Sequence, residues 1–213
     1  MKSIDVYSPL NPAAQFMIQR RHRLIRAVFA DHFSSMEKCR LLEVGCGNGQ
    51  WLAEFQMFGL NVMNLSGIEL DEARVKNAQE RIKGADIRAG NAAELPWDDN
   101  SFDIVFQSTV FTSILDREIR RKAAEEMMRV CRPEGFILWY DFIYDSPSNP
   151  NVKGVGKKEI KELFSPWKLR YKKVTLAPPL ARKLVPVSWL AAEILESFCP
   201  FLRTHAVAVI SEK

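Results

Sequence analysis

The stretch "LLEVGCGNGQWLAEF", Leu41 to Phe55, sets a short apolar run against three glycines at alternate positions, Gly45, Gly47 and Gly49. An apolar run this short reads as a buried strand, and the residues from Gln50 onward have helical spacing. Alternating glycines between the two let the chain turn sharply and let a ligand approach the backbone within hydrogen-bonding distance. The spacing, G-x-G-x-G, differs from the G-x-G-x-x-G of a dinucleotide site. A P-loop is excluded as well, because no Lys-Ser or Lys-Thr comes after the glycines.

Two carboxylates sharpen the choice of ligand. Glu43 stands two residues before the first glycine, at a strand end where a cationic group can be held directly or through water. Glu69, in "SGIELDEA", ends the second apolar run, where a carboxylate can accept hydrogen bonds from both hydroxyls of a ribose. Together they imply a ligand with a ribose, positive charge and no pyrophosphate.

Outward from this turn, residues 41–142 alternate short apolar runs with amphipathic ones, the pattern of an α/β domain with a largely parallel sheet. Strands are predicted at Leu41–Val44, Val62–Leu70, around Ile87, at Phe102–Phe106 and at Phe136–Phe142. Helices are predicted at Trp51–Phe58, Glu72–Lys83 and Arg117–Val130, the last after an Asp116 cap. Val75, Ala78 and Ile82 share one face of the second helix, as Ile119, Ala123, Met127 and Val130 do in the third. Gly59 and Gly84 sit where a left-handed helix end is expected.

The fold class is therefore α/β, with a largely parallel sheet. The chain is expected to form a single domain over residues 1–213: an N-terminal helical cap to residue 38, a cofactor-binding core at 39–143 and a substrate-side part at 144–213. Ala13–Phe33 reads as the extra N-terminal helix, with arginines at 20, 21, 23 and 26. Lys158–Phe164 reads as a short helix, with strands at Leu169–Leu176 and in "RTHAVAVISE". Between those strands an insert, residues 176–202, carries prolines that delimit short helices.

A net charge of +4 conceals an uneven distribution. Residues 1–40 carry 7 Lys and Arg against 3 Asp and Glu, residues 41–149 carry 11 against 18, and residues 150–213 carry 12 against 5. Basic flanks suit an anionic partner such as a phosphorylated substrate, a membrane surface or nucleic acid, and suit solvated helix faces equally. The opening "MKSIDVYSPLNPAAQF" lacks the apolar core of a secretory signal, and no window approaches the roughly 20 apolar residues of a spanning helix. A cytoplasmic location is the resulting expectation, peripheral to the inner face of the membrane if the insert touches lipid. The four cysteines are widely separated, with no C-x-x-C pair and no metal-like spacing to histidine, so neither a disulfide framework nor a metal site is expected.

Four segments in order, "EVGCGNG" from Glu43, "GIELD" from Gly67, "GNAAELPWDDNSFDIVFQS" from Gly90 and "MMRVCRPEGFILWYDF" from Met127, resemble the class I S-adenosylmethionine-dependent methyltransferases, most closely the small-molecule branch called methyltransferase type 11. The resemblance implies a Rossmann-like seven-stranded sheet, mostly parallel, with helices on both faces and the last strand antiparallel, and it implies S-adenosyl-L-methionine as cofactor, S-adenosyl-L-homocysteine as product and no metal. It places Gly45, Cys46, Gly47 and Gly49 along the methionine part of the cofactor, with Glu43 near its amino group. Glu69 would hold the ribose hydroxyls and Leu70 would pack on the adenine. Asn91, where the family more often has Asp, would accept the adenine amino group beside the backbone of Ala92. Gln107 and Ser108 would face the methionine moiety or the methyl. Taken without the family, Asn91 can equally cap the turn of "NAAEL", and Cys46 can be a small filler.

For the acceptor side, Asp141 and Tyr144 near the end of the fifth strand are candidates to orient or deprotonate a hydroxyl, with His22 as a further candidate base. The family often continues with a His after Ser108, whereas this chain reads "TVFTSIL". Nucleic acid is disfavoured. "FQSTVF" is not the Asn/Asp-Pro-Pro-aromatic motif of exocyclic amine methylation, "SNPN" at Ser148–Asn151 lacks the aromatic, and no Pro-Cys nucleophile is present. The expected acceptor is a small molecule or a glycolipid, methylated at oxygen, by a monomer or homodimer. A non-catalytic cofactor-binding scaffold is the alternative. The insert can serve as a lid, a dimer surface or a peripheral membrane contact.

Overall fold

Where β1 (Leu41–Val44) ends, the chain needs only five residues to enter α2 (Gln50–Met57), and all three glycines between them have positive φ, +71° at Gly45, +53° at Gly47 and +74° at Gly49. This computed structural model describes residues 8, 10–146 and 149–212. Half of the opening stretch read for a secretory signal, and Ser148 of "SNPN", lie outside the described residues.

Around this turn stands a seven-stranded sheet in the order β3-β2-β1-β4-β5-β7-β6, mostly parallel, with its last strands antiparallel. Its strands are β1, β2 (Leu65–Glu69), β3 (Asp86–Ala89), β4 (Phe102–Ser108), β5 (Cys131–Phe142), β6 (Lys168–Leu176) and β7 (Arg203–Ser211). The register sets Val44 beside Ile68 and Gln107, and Glu69 beside Ala89. The order reverses between β1 and β4, so the connections from these two strands leave in opposite directions. Such a switch point opens a crevice at the strands' carboxyl ends.

Two of the helices, α3 (Glu72–Arg81) and α4 (Arg117–Val130), start where short acidic side chains satisfy free N–H groups. Asp71 accepts from Ala73 and Arg74 at the head of α3, and Asp116 accepts from Glu118 and Ile119 at the head of α4. Two strand boundaries differ from expectation. Val62–Asn64 form a 3₁₀ turn, because the Asn61 side chain caps it by accepting from the Met63 N–H at 3.0 Å. The fifth strand begins at Cys131 rather than Phe136, since the chain leaves α4 already extended and pairs Cys131 with Phe102 across an irregularity in register.

Two compact units divide the chain, residues 1–34 with 172–207, and residues 35–171 with 208–213. In the larger unit the core is built on the sheet, with Trp139 wedged between Phe111 at 4.5 Å and Phe164 at 5.8 Å between ring centroids. The smaller unit joins α1 (Pro12–His32) to the two helices of the insert, α6 (Pro178–Leu184) and α7 (Trp189–Phe198). Phe16 packs edge-on against Trp189 at 5.2 Å. The buried Glu196 carboxylate accepts from Arg20 Nε at 3.1 Å and from the Leu176 N–H at 3.3 Å. N-terminal helix and C-terminal insert thus share one core, although the sequence places them at opposite ends.

His205 is buried in this smaller unit, and burial, with the nearby Arg21 charge, pushes its pKa down to about 3. An imidazole held neutral in the fold but free to protonate when unfolded contributes stability above pH ~6.5 that is lost as pH falls toward 3. His205→Gln should therefore show a smaller fall in melting temperature between pH 7 and pH 5 than the unaltered protein, measured by thermal denaturation.

Candidate active site

Residues at the carboxyl ends of β1, β2, β3 and β4 line one cavity of about 600 Å³, within the range of small-molecule sites. Gly45 and Gly47 contribute the turn, Glu69 and Leu70 the end of β2, and Asn91, Ala92 and Ser108 the ends of β3 and β4. Seven of the eleven residues expected to hold the cofactor are thus brought together.

The glycine turn is clamped before any ligand arrives. Ile68 O accepts from both Gly45 N–H at 2.9 Å and Cys46 N–H at 3.0 Å. One oxygen of Glu69 accepts from the Gly47 N–H at 2.9 Å, and the other accepts from Leu70 and Asp71 N–H at 3.0 and 3.2 Å. A Cβ on Gly45 would stand 2.4 Å from Val110 Cγ2, so no side chain fits there. A Cβ on Gly47 would meet no protein atom within 4 Å: at this cavity-lining position the missing side chain leaves open space.

The four other expected cofactor contacts lie behind this surface or at its edge. Glu43 is 2% exposed within β1. Cys46 is buried, and its thiol is pushed up to about 12 by burial and by the charges of Glu43 and Glu69. It stays a thiol, and it fills the space that a side chain on Gly67 would need, 2.9 Å from Sγ. Gly49 caps α2 in the left-handed conformation. Gln107 is fully buried: its Oε1 accepts from Val110 N–H at 3.1 Å and its Nε2 donates to Tyr140 O at 3.5 Å. Asn91 Oδ1 accepts from the Ala93 N–H at 3.0 Å, so the side chain caps its own turn while the residue lines the cavity.

The acceptor-side candidates are dispersed. Asp141 has no exposed surface; Oδ1 accepts from Thr112 Oγ1 at 2.7 Å and Phe142 N–H at 2.8 Å, and Oδ2 from Thr112 N–H at 3.3 Å. Burial raises its pKa to about 6 even though these hydrogen bonds pull it down. Tyr144 is half exposed beyond β5. His22 belongs to α1, in the smaller unit.

The far wall of the cavity lies outside the candidate site residues, although it includes Asp116 and Ile119, expected only as the cap and an inward-facing residue of α4. It comes from the segment after β4: Thr109, Val110, Ser113 to Asp116, and Ile119. Ile119, expected on the inward face of α4, is 39% exposed because the first turn of the helix borders the cavity. Thr109 adopts φ +59°, a conformation rare for a β-branched residue. Its N–H donates to Tyr140 O at 2.9 Å. Arg120, 2% exposed, anchors the wall from behind by donating to Ile114 O at 2.6 Å, Lys153 O at 3.0 Å and Glu159 at 2.7 Å. The only sequence signal was an apolar cluster, Ile114, Leu115 and Ile119, around the Asp116 cap.

Comparison with known proteins agrees with this geometry. The model of the methyltransferase domain family matches residues 42–139. The 27-O-demethylrifamycin SV methyltransferase of Amycolatopsis mediterranei is 35% identical over 131 residues, 55% of this chain and 46% of that protein. The phthiotriol/phenolphthiotriol dimycocerosates methyltransferase 1 of Mycobacterium ulcerans is 37% identical over 112 residues, 52% of this chain and 39% of that protein. The chain thus spans about half or less of the length of these curated relatives. Among solved structures, a SAM-dependent methyltransferase from Archaeoglobus fulgidus superposes with a TM-score of 0.61 over 92% of this chain and 98% of its own, at 17% identity, a likeness of fold.

Asp141 offers a direct test of how the wall is held. A carboxyl whose pKa is higher folded than unfolded adds stability at pH below ~4 that disappears as pH rises through ~6, a difference of about 3 kcal/mol for this shift. Asp141→Asn should abolish that component in denaturant titrations across pH 4 to 7. Its lost acceptor for the Thr112 N–H should also cost about 1–3 kcal/mol at low pH.

Proposed function

We propose that this protein, whose residues 42–139 match the model of the methyltransferase domain family, is a class I S-adenosylmethionine-dependent methyltransferase that transfers a methyl group to a small or lipid- or sugar-linked acceptor, at oxygen. One observation carries the proposal: the Glu69 carboxylate faces the cavity from the end of β2 while bound to the glycine turn.

The residues present fit this cofactor. The open space at Gly47 admits a ligand against the backbone, and Glu69 supplies acceptor oxygens for a diol. Asn91 offers a carbonyl acceptor and Leu70, 75% exposed, an apolar surface for a base. Buried Glu43 adds negative charge behind the turn, favourable to a cationic ligand. When bound, the cofactor supplies an activated methyl on a sulfonium. The protein's own work is to align the acceptor and exclude water.

The far wall serves the acceptor. Val110, Ile114, Leu115 and Ile119 present apolar surface, which suits an acceptor with apolar bulk. Asp141 acts as a positioning residue, since its oxygens are engaged by Thr112 and Phe142. Methylation at oxygen is supported by the name of the rifamycin relative. No helix among the described residues is long and apolar enough to cross a membrane. The protein is proposed to act as a monomer or homodimer in the cytoplasm, peripheral to the membrane.

Calorimetric titration with S-adenosylmethionine and S-adenosylhomocysteine tests the cofactor site. Glu69→Ala should weaken both at least about tenfold, the contribution of hydrogen bonds to a charged group. Glu69→Gln, which keeps an acceptor for the Gly47 N–H, should retain the fold and still bind more weakly. Unchanged affinity in both variants would remove Glu69 from the site. Mass-spectrometric detection of methylated product, in a screen of hydroxylated apolar and glycolipid acceptors, tests turnover.

A further inference from the structure

α7 turns its acidic side chains toward α1: Glu196 is 2% exposed and paired with Arg20, and Glu193 lies 3.9 Å from Arg23. Trp189, Ala192 and Leu195 pack into the core shared with α1, while a second apolar row faces outward, with Leu190 65%, Ile194 51% and Phe198 80% exposed at helical spacing i, i+4, i+8. Val187 at 82% and Phe201 at 73% extend the same character at the two ends of the helix. Of the exposed residues between 186 and 201, all are apolar or proline except Ser197. A single exposed leucine is ordinary, whereas a run of this kind marks a surface that is covered in use.

Charge identifies the cover. The described residues of the smaller unit carry nine Lys and Arg against three Asp and Glu, two of those acids being the ones paired to α1. Lys183, exposed in the last turn of α6, stands four residues before Val187, and Lys172 is exposed on β6. Protein interfaces combine an apolar centre with hydrogen-bonding groups that fix orientation. This face offers Ser197 alone. An apolar face without polar anchors in a basic unit matches the boundary between headgroups and acyl chains of an anionic bilayer. With ten residues, α7 is too short to span one.

We propose that Val187, Leu190, Ile194, Phe198 and Phe201 form a membrane-docking face that inserts shallowly into anionic phospholipid, with Lys183 and the net positive charge of the smaller unit supplying the electrostatic part. The proposal rests on the reading of the protein as membrane-peripheral and gives that reading its residues. α7 is held for the task by Arg203, which donates to Glu196 O at 2.7 Å and Ser197 O at 2.9 Å at the helix end and to Lys173 O at 3.2 Å.

Flotation of the full chain with vesicles of phosphatidylcholine alone, and of phosphatidylcholine with phosphatidylglycerol, tests the face. The expected result is binding to the anionic vesicles that weakens with added salt. The combined change Leu190→Gln, Ile194→Gln and Phe198→Gln should reduce it at least about tenfold. Calorimetry on the same triple variant should give unaltered S-adenosylmethionine affinity, which shows that the fold survives and separates failure of this face from failure of the cofactor site. No vesicle binding by the unaltered chain, or equal binding by the triple variant, overturns the proposal. So does a dimer in sedimentation velocity that the triple variant dissociates while vesicle binding is absent, since a second copy is then the occupant.

Discussion

A carboxylate that gathers three backbone N–H groups holds the cofactor-side architecture together. Glu69 ties Gly47, Leu70 and Asp71 to one point at the end of β2. Together with Ile68 O, which holds Gly45 and Cys46, it fixes the path of three alternate glycines in left-handed conformations, residues that lose more freedom on folding than any other. Glu69 can only do this because β1 and β2 are parallel and in register, with Val44 beside Ile68. The order reversal between β1 and β4 then brings Val110 against Gly45, closing the floor of the cavity from the other side. Sheet topology, turn geometry and cavity shape are one constraint seen at three scales.

The elements that the sequence disclosed are those whose signals are local. β1 and α4 fall where hydrophobic spacing and the Asp116 cap put them, and the glycine turn announces itself by composition. Asn61 is the local signal that the periodicity of Val62–Leu70 obscured, since its cap turns three apolar residues into a 3₁₀ turn before the strand can start. The pairing of α1 with the insert could not be seen, because it depends on contacts such as Arg20 with Glu196 that join the two ends of the chain. The far wall of the cavity was hidden for a different reason. Arg120 sits on a helix otherwise rich in solvated charge, and nothing in its neighbours distinguishes a buried guanidinium clamping Ile114 O and Lys153 O from a surface one.

Much of what makes the chain resemble the methyltransferase domain family is scaffold. In "LPWDDNSFD" the Arg129 guanidinium donates to Leu95 O and Trp97 O at 2.9 and 2.8 Å and pairs with Asp99 and Glu126. Glu126 in turn accepts from the Leu95 N–H at 2.7 Å. This network fastens the β3–β4 connection to α4. Gln107 belongs to the same category, with both ends of its amide engaged by backbone. Motif residues therefore divide into those that meet the cavity, such as Glu69 and Asn91, and those that keep the cavity's rim in place.

Thr109 sits at the junction of these two groups. Its left-handed backbone, forced on a β-branched side chain, stores conformational energy that glycine or asparagine would release. A lineage drifting under selection for thermal robustness alone would shed this threonine early. Any replacement that keeps the left-handed turn leaves the cavity wall where it is, so evolution is freer with this side chain than with this backbone.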